Sequence, residues 1–184
     1  MTLDKSPTLK ELFSKNEKSI LKRWLDLILE TYSPDSEILI GKRRDPFTNP
    51  VGSTLSRETK VLFKNLCDGI REEESQASLE AILKIRSVQD FSPSKAVEFI
   101  FLLKKAIGET LKIEFDNESV ILHQWLEFQS RIDHLVLQAF DVYMRCREKI
   151  CEIRVNQAKG EREMAFRMME RMSYSKEKQQ KKEN

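Results

Sequence analysis

A chain of 184 residues is long enough for one domain with a substantial core. Apolar residues make up 40% and charged residues 34%, which excludes a compositionally disordered chain and gives a heavily ionic surface. The net charge of +2 is too small to point to nucleic acid or an acidic membrane as the partner.

Five glycines and five prolines are few for this length, and several crowd into one segment. That scarcity predicts a few long helices, an all-α bundle, rather than many short strands. Cys67, Cys146 and Cys151 are an odd number with no secretory leader before them, so the expected setting is the reducing cytoplasm. The most apolar run, Ala96 to Leu103, contains Glu98 and stops at Lys104 and Lys105. A membrane span needs about 20 apolar residues, so no membrane insertion is expected.

In chain order, Ser6-Pro7-Thr8 opens a first helix, with Thr8 and Glu11 spaced for a capping box. Its apolar residues recur at helical spacing as far as Tyr32, before Ser33-Pro34. Residues 33–53 hold Pro34, Gly41, Pro46, Pro50 and Gly52, a long loop of the kind that carries function. Lys42, Arg43 and Arg44 form its basic cluster, the candidate contact for an anion or an acidic partner. A second helix is expected over 54–70, Glu72-Glu73-Glu74 as an acidic connector, and a third helix over 76–88. Ser92-Pro93 starts a fourth, ending near Lys112, and Asp116-Asn117 cap the next.

The fifth helix, from Val120 to about Val155, is the longest pattern. At about 100° per residue, Trp125, Phe128, Ile132, Leu135, Ala139, Val142 and Cys146 share one stripe. Leu122, Leu126, Val136, Phe140, Met144 and Cys151 widen it past half the circumference. A helix that apolar is expected to be central, with only the strip through His123, Glu127, His134 and Asp141 wet. Beyond Asn156 the chain is a charged tail, helical or disordered, with Met164, Phe166, Met168, Met169 and Met172 as anchors for a partner.

The sequence holds no nucleophile elbow, no zinc-protease motif, no diiron Glu-x-x-His pair and no phosphate-binding glycine loop. Both histidines lie on the wet strip, about 16 Å apart along the axis, so neither a shared metal nor a haem ligand is expected. No cofactor is expected, and no enzyme. Cys146 and Cys151 are read as buried structural thiols. The unusual residues are polar ones on the apolar stripe, Gln129, Asp133, Arg147 and Arg154, which need partners from other helices if buried. Arg86 or Lys104 is expected to meet Asp133, and Asp90 or the carboxylates near the start of the chain to serve Arg147.

Three segments carry a resemblance: DPFTNPVG at 45–52, IRSVQDFSPSKAVEFIFLLKKAI at 85–107, and FDVYMRCREKICEIRVN at 140–156. Together they resemble the N-terminal domain of RsbRD-type proteins, a family named for co-antagonists of the kinase RsbT in bacterial stress signalling. The resemblance covers residues 9–157 and implies a sensory or regulatory input domain, with globin-like packing but without haem. It implies no catalytic residues. Taken with the polar residues on the apolar stripe, these segments make Asn49, Gly52, Asp90, Asp133, Arg147 and Arg154 the candidate ligand or partner residues.

The expectation is therefore a helical sensor domain over residues 1–157 and a charged tail over 158–184. It would act through a protein partner in bacterial signal transduction and form a homodimer through its C-terminal helix. The rival readings are an accessory protein of an anaerobic respiratory or sulfur-redox complex, with a respiratory protein as partner, and a small-molecule or haem carrier.

Overall fold

A computed structural model describes residues 8–32, 49–69, 71–89, 91–111 and 119–183. Five helices run through them: α1 (Leu9–Leu29), α2 (Pro50–Asp68), α3 (Glu72–Val88), α4 (Pro93–Leu111) and α5 (Ser119–Glu183). The all-α expectation and the long C-terminal helix hold; globin-like packing is not shown. No helix among the described residues is long and apolar enough to cross a membrane.

Local chemistry sets the helix starts. Thr8 accepts from the Glu11 amide at 3.3 Å while the Glu11 carboxylate accepts from the Thr8 amide at 2.8 Å, so the expected capping box forms. The second helix begins at Pro50, four residues before the expected Thr54, because Asn49 caps it and proline suits the first turn. The third begins at Glu72: the three glutamates read as a connector are its first turn, where carboxylates favour the positive end of the helix dipole. At the far end of α2, Gly69 takes φ 106°, a left-handed conformation that glycine adopts without a Cβ penalty.

Two compact units emerge, Met1–Cys146 and Arg147–Asn184. In the first, α1 packs on α4 and α2 packs on α3. Trp24 and Ile20 of α1, Leu62 and Leu66 of α2, Leu79 and Ile82 of α3 and Ile100 and Leu103 of α4 are fully or almost fully buried in one cluster. Trp24 donates its indole N–H to the Phe99 carbonyl at 2.6 Å, which lets a polar group enter this core without cost.

The N-terminal half of α5 completes the cluster through Trp125, Phe128, Ile132, Leu135, Ala139, Val142 and Tyr143. Phe128 meets Phe13 with ring centroids 4.7 Å apart. Gln124 accepts from the first amide of α1 at 2.9 Å, and Arg131 donates to the Leu66 carbonyl near the end of α2 at 3.0 Å. Side chains of α5 thus satisfy helix-terminal groups on its neighbours.

Burial of α5 is narrower than its composition suggests. Leu122, Leu126, Leu137, Phe140 and Met144 are exposed, and every residue from 151 to 172 is exposed. Tertiary packing covers one stripe of the helix and not the wider apolar surface around it. Cys151, expected to be buried, is exposed, while Cys146 is half-buried. In the second unit the helix continues unbroken through the charged tail to Glu183, with Arg167 lying 3.9 Å from Glu163 one turn away.

Candidate functional site

The structure contains a buried cation that the sequence reading placed elsewhere. On α3, Leu79, Ile82 and Leu83 lie seven, four and three residues before Arg86, so helical spacing puts all four on one inward face. Arg86 is fully buried. Its guanidinium carbon lies 4.3 Å from the Phe91 ring centre, 5.2 Å from Tyr32 and 5.7 Å from Phe99. Among the described residues it is aromatic rings that surround the guanidinium, and a desolvated cation on such faces gains about 2 kcal/mol.

One nitrogen, Nη2, donates to the Thr31 hydroxyl at 3.1 Å and to the Lys95 carbonyl at 3.0 Å. Nε and Nη1 have no hydrogen-bond acceptor among the described residues. The Tyr32 hydroxyl, also buried, sits near enough to feel the guanidinium charge yet makes no hydrogen bond of good geometry. Burial pushes the Tyr32 phenol up, and the guanidinium pulls it partly back. Burial pulls the Arg86 guanidinium down, opposed by Tyr32.

The same cluster reaches α5. Tyr143 donates its hydroxyl to the Phe91 carbonyl, and Phe91 meets Tyr32 edge-on at 5.3 Å between ring centres. The end of α1, the end of α3, the start of α4 and Tyr143 of α5 therefore meet around one guanidinium. Tyr143 lies four residues before the second unit begins in the chain. These side chains can hold a charge and couple helices. Two of the resemblance segments, 85–107 and 140–156, contain Arg86, Phe91, Phe99 and Tyr143.

The residues singled out from sequence do not converge on one place. Asn49 and Gly52 come together at the start of α2, where the Asn49 side chain accepts from the Gly52 amide at 2.8 Å. A Cβ on Gly52 would stand 2.4 Å from the Asn49 amide nitrogen, so this close cap requires glycine. Asp133 is a surface residue, its side chain 58% exposed, and it bonds to Lys104 at 2.6 Å. The expected buried charge is thus a surface ion pair; Lys104 is the partner and Arg86 is not. Arg147 is half-buried and Arg154 exposed, both in the second unit. Asp90, Lys42, Arg43 and Arg44 lie outside the described residues, as does the Asp116-Asn117 cap.

The histidine strip is wet as expected: His123 and His134 are exposed, with His123 3.3 Å from Glu127. Sequence reasoning missed Arg86 as a centre in its own right. The available signal was its position on the inward face of α3 with Leu79 and Ile82.

Comparison with known proteins adds the lineage. An uncharacterized protein of Archaeoglobus fulgidus is 23% identical over 162 residues, covering 87% of this chain and 96% of that protein. No solved structure matches the chain. Residues 18–157 match the RsbT co-antagonist protein rsbRD N-terminal domain. That match takes in the Arg86 cluster and most of the chain, so the protein belongs to the RsbRD N-terminal domain family, a sensory and regulatory family with no known catalytic role.

Proposed function

We propose that this protein is a non-enzymatic sensor or regulatory domain of bacterial signal transduction, working in the cytoplasm through contact with another protein. Family membership supports the class. The observation that carries the mode of action is the second unit. Met164, Phe166, Met168, Met169 and Met172 are each 63 to 69% exposed on a helix with no described residue buried beyond Cys146. Soluble proteins keep large apolar side chains at such density for docking.

The mechanism is a shift between two populations of the bundle. A change at the Arg86 cluster alters how Phe91 holds Tyr143, and α5 carries that change along its length. The first readout is self-association through residues 150–172. Light scattering on the full chain is expected to give a mass above the monomer, and Met169→Glu with Met172→Glu is expected to return it to the monomer. A monomeric wild-type chain at all concentrations removes the homodimer and leaves a different protein as the partner. Removal of any regulatory role needs a second result: purified kinase of the RsbT type, with its co-antagonist partner, unaffected in activity by the full chain.

A further inference from the structure

One face of the second unit repeats every seven residues. Seven residues are nearly two turns of an α-helix, so positions seven apart lie on one side of it. Cys151, Ala158, Ala165 and Met172 are spaced in this way, and so are Val155, Arg162 and Met169. The two rows alternate in steps of three and four and make one seam, the pattern of a helix that packs lengthwise on another. Every residue from 151 to 172 is exposed, so the seam is uncovered. A shallow surface depression follows its upper end, lined by Glu148, Cys151, Glu152, Val155, Asn156 and Lys159.

Charge decides which way a second helix can run. Glu148 and Arg162 lie on the seam itself, and Glu152 and Lys159 flank it on one side. All four are exposed, and none makes an ion pair with another described residue. A parallel copy in register sets Glu148 on Glu148 and Arg162 on Arg162, like charges at the centre of the contact. An antiparallel copy, crossing midway between Asn156 and Gln157, removes both clashes. Val155 then meets Ala158 of the second copy, and Cys151 meets its Arg162. Arg162 reaches Glu148 of the second copy one layer away, and Glu152 stands across from its Lys159. Two-fold symmetry makes each contact twice. Sliding the copy by seven residues either way puts Lys159 on Lys159 or Glu152 on Glu152, so one antiparallel register is complementary.

We propose that the second unit pairs with the same segment of a second copy of this chain, as an antiparallel two-helix coiled coil crossing between Asn156 and Gln157. Ala158 and Ala165 let the helices approach closely, which brings the flanking charges within reach. Met169 and Met172 lie on the same seam, so the apolar anchors and the complementary charges belong to one face. This inference rests on the self-association reading and gives that association its partner surface and direction.

Sedimentation equilibrium on the full chain reads the dimer constant. Glu152→Lys and Lys159→Glu are each expected to weaken the dimer about tenfold, because two attractive contacts become two repulsive ones. The double variant is expected to return to within about threefold of the wild type. In a parallel pair Lys159→Glu would face Arg154 and tighten the dimer instead. Thiols give a second reading. In the antiparallel register the two Cys151 residues are eleven positions out of step, about 16 Å along the axis and too far apart for a disulfide. Arg162→Cys puts a thiol level with Cys151 of the second copy. With diamide as the oxidant, that variant is expected to give a dimer bridged between positions 151 and 162, and the wild type no bridge between two Cys151 residues. Circular dichroism checks that the variants keep their helix; all the sites are on the surface.

A dimer unchanged by both single charge reversals overturns the proposal. So does a tighter Lys159→Glu dimer, or a bridge between two Cys151 residues in the wild type. In each of these cases self-association survives and only this pairing is lost. A wild type that is monomeric at every concentration removes the pairing and self-association together, and a regulatory role through a different protein then stands on the kinase assay. A chain that passes the charge and thiol tests yet leaves a kinase of the RsbT type unaffected keeps the pairing and loses the regulatory role.

Discussion

Tyr143 of α5 donates its hydroxyl to the carbonyl of Phe91, and the Phe91 ring covers the buried Arg86 guanidinium at 4.3 Å. One hydrogen bond thus joins the long C-terminal helix to the only fully buried charge among the described residues. The bond sits beside an aromatic cluster, where water does not compete well for the carbonyl.

Tyr143→Phe removes that donor while keeping the ring. A lost hydrogen bond that leaves a sheltered carbonyl unpaired costs about 1–2 kcal/mol. Urea unfolding is the measurement, and a loss in that range with an unchanged m-value is expected. A loss below about 0.3 kcal/mol would mean that the bond is not formed in solution.

Arg86 separates two kinds of destabilisation. Arg86→Ala leaves a cavity and two stranded acceptors, the Thr31 hydroxyl and the Lys95 carbonyl, and is expected to cost about 3 kcal/mol or more. Arg86→Met strands the same two acceptors but keeps length and packing against the three rings, and it removes two donors that find no acceptor among the described residues. Loss of the desolvated charge offsets the two lost bonds, so its stability is expected to stay within about 1 kcal/mol of the wild type, well above that of Arg86→Ala. An Arg86→Met protein that is more stable but no longer regulates a partner would identify Arg86 as kept for function.

The Asn49 cap and Gly52 are coupled. Asn49→Ala alone is expected to cost about 1 kcal/mol. Gly52→Ala alone drives a Cβ into the Asn49 side chain and breaks the same cap, for a similar cost. In the Asn49→Ala background the obstacle is gone, and alanine gains about 0.5–1 kcal/mol over glycine inside a helix. The double variant is therefore expected to be more stable than the sum of the two singles, and a double-mutant cycle by chemical denaturation reads the difference.

The thiols should differ in rate. Cys151 is exposed and Cys67 is half-buried with its pKa pushed up from 9.0 to about 12, chiefly by burial. With a disulfide reagent near neutral pH, Cys151 is expected to react first and Cys67 slowest, read by mass spectrometry of the labelled peptides. The same shift predicts alkaline sensitivity. The folded state holds the Cys67 proton more tightly than the unfolded chain, so this contribution to stability is intact below about pH 9 and is lost as pH rises toward about 12. Cys67→Ala is expected to flatten that decline.

The Lys104–Asp133 pair joins α4 to α5 at the surface. Its coupling energy in a double-mutant cycle is expected to be no more than about 1 kcal/mol and to shrink in high salt. A coupling several times larger would restore the buried-pair reading made from the sequence.

Much of the fold was legible in the chain because short-range chemistry writes it. Thr8 and Glu11 announce a capping box, Ser92-Pro93 a helix start, and Trp125 to Val142 a stripe at helical spacing, and each forms in the structure. The candidate site was less legible. Helical spacing put Asp133 near the apolar stripe, but a lysine from α4 meets it at the surface, and spacing within one helix carries no information about the neighbouring one.

By itself, then, the sequence determined the class, the starts of α1 and α4 and the inward face of α5, since these follow from hydrogen-bonding termini and a period of 3.6 residues. Tertiary structure alone decided how much of α5 is covered, that Cys151 stands exposed, and that Arg86 rests among Tyr32, Phe91 and Phe99. A period fixes the direction in which a side chain points. What it meets there depends on contacts between segments as far as 115 residues apart, such as Leu9 with Gln124, and only the assembled bundle specifies those.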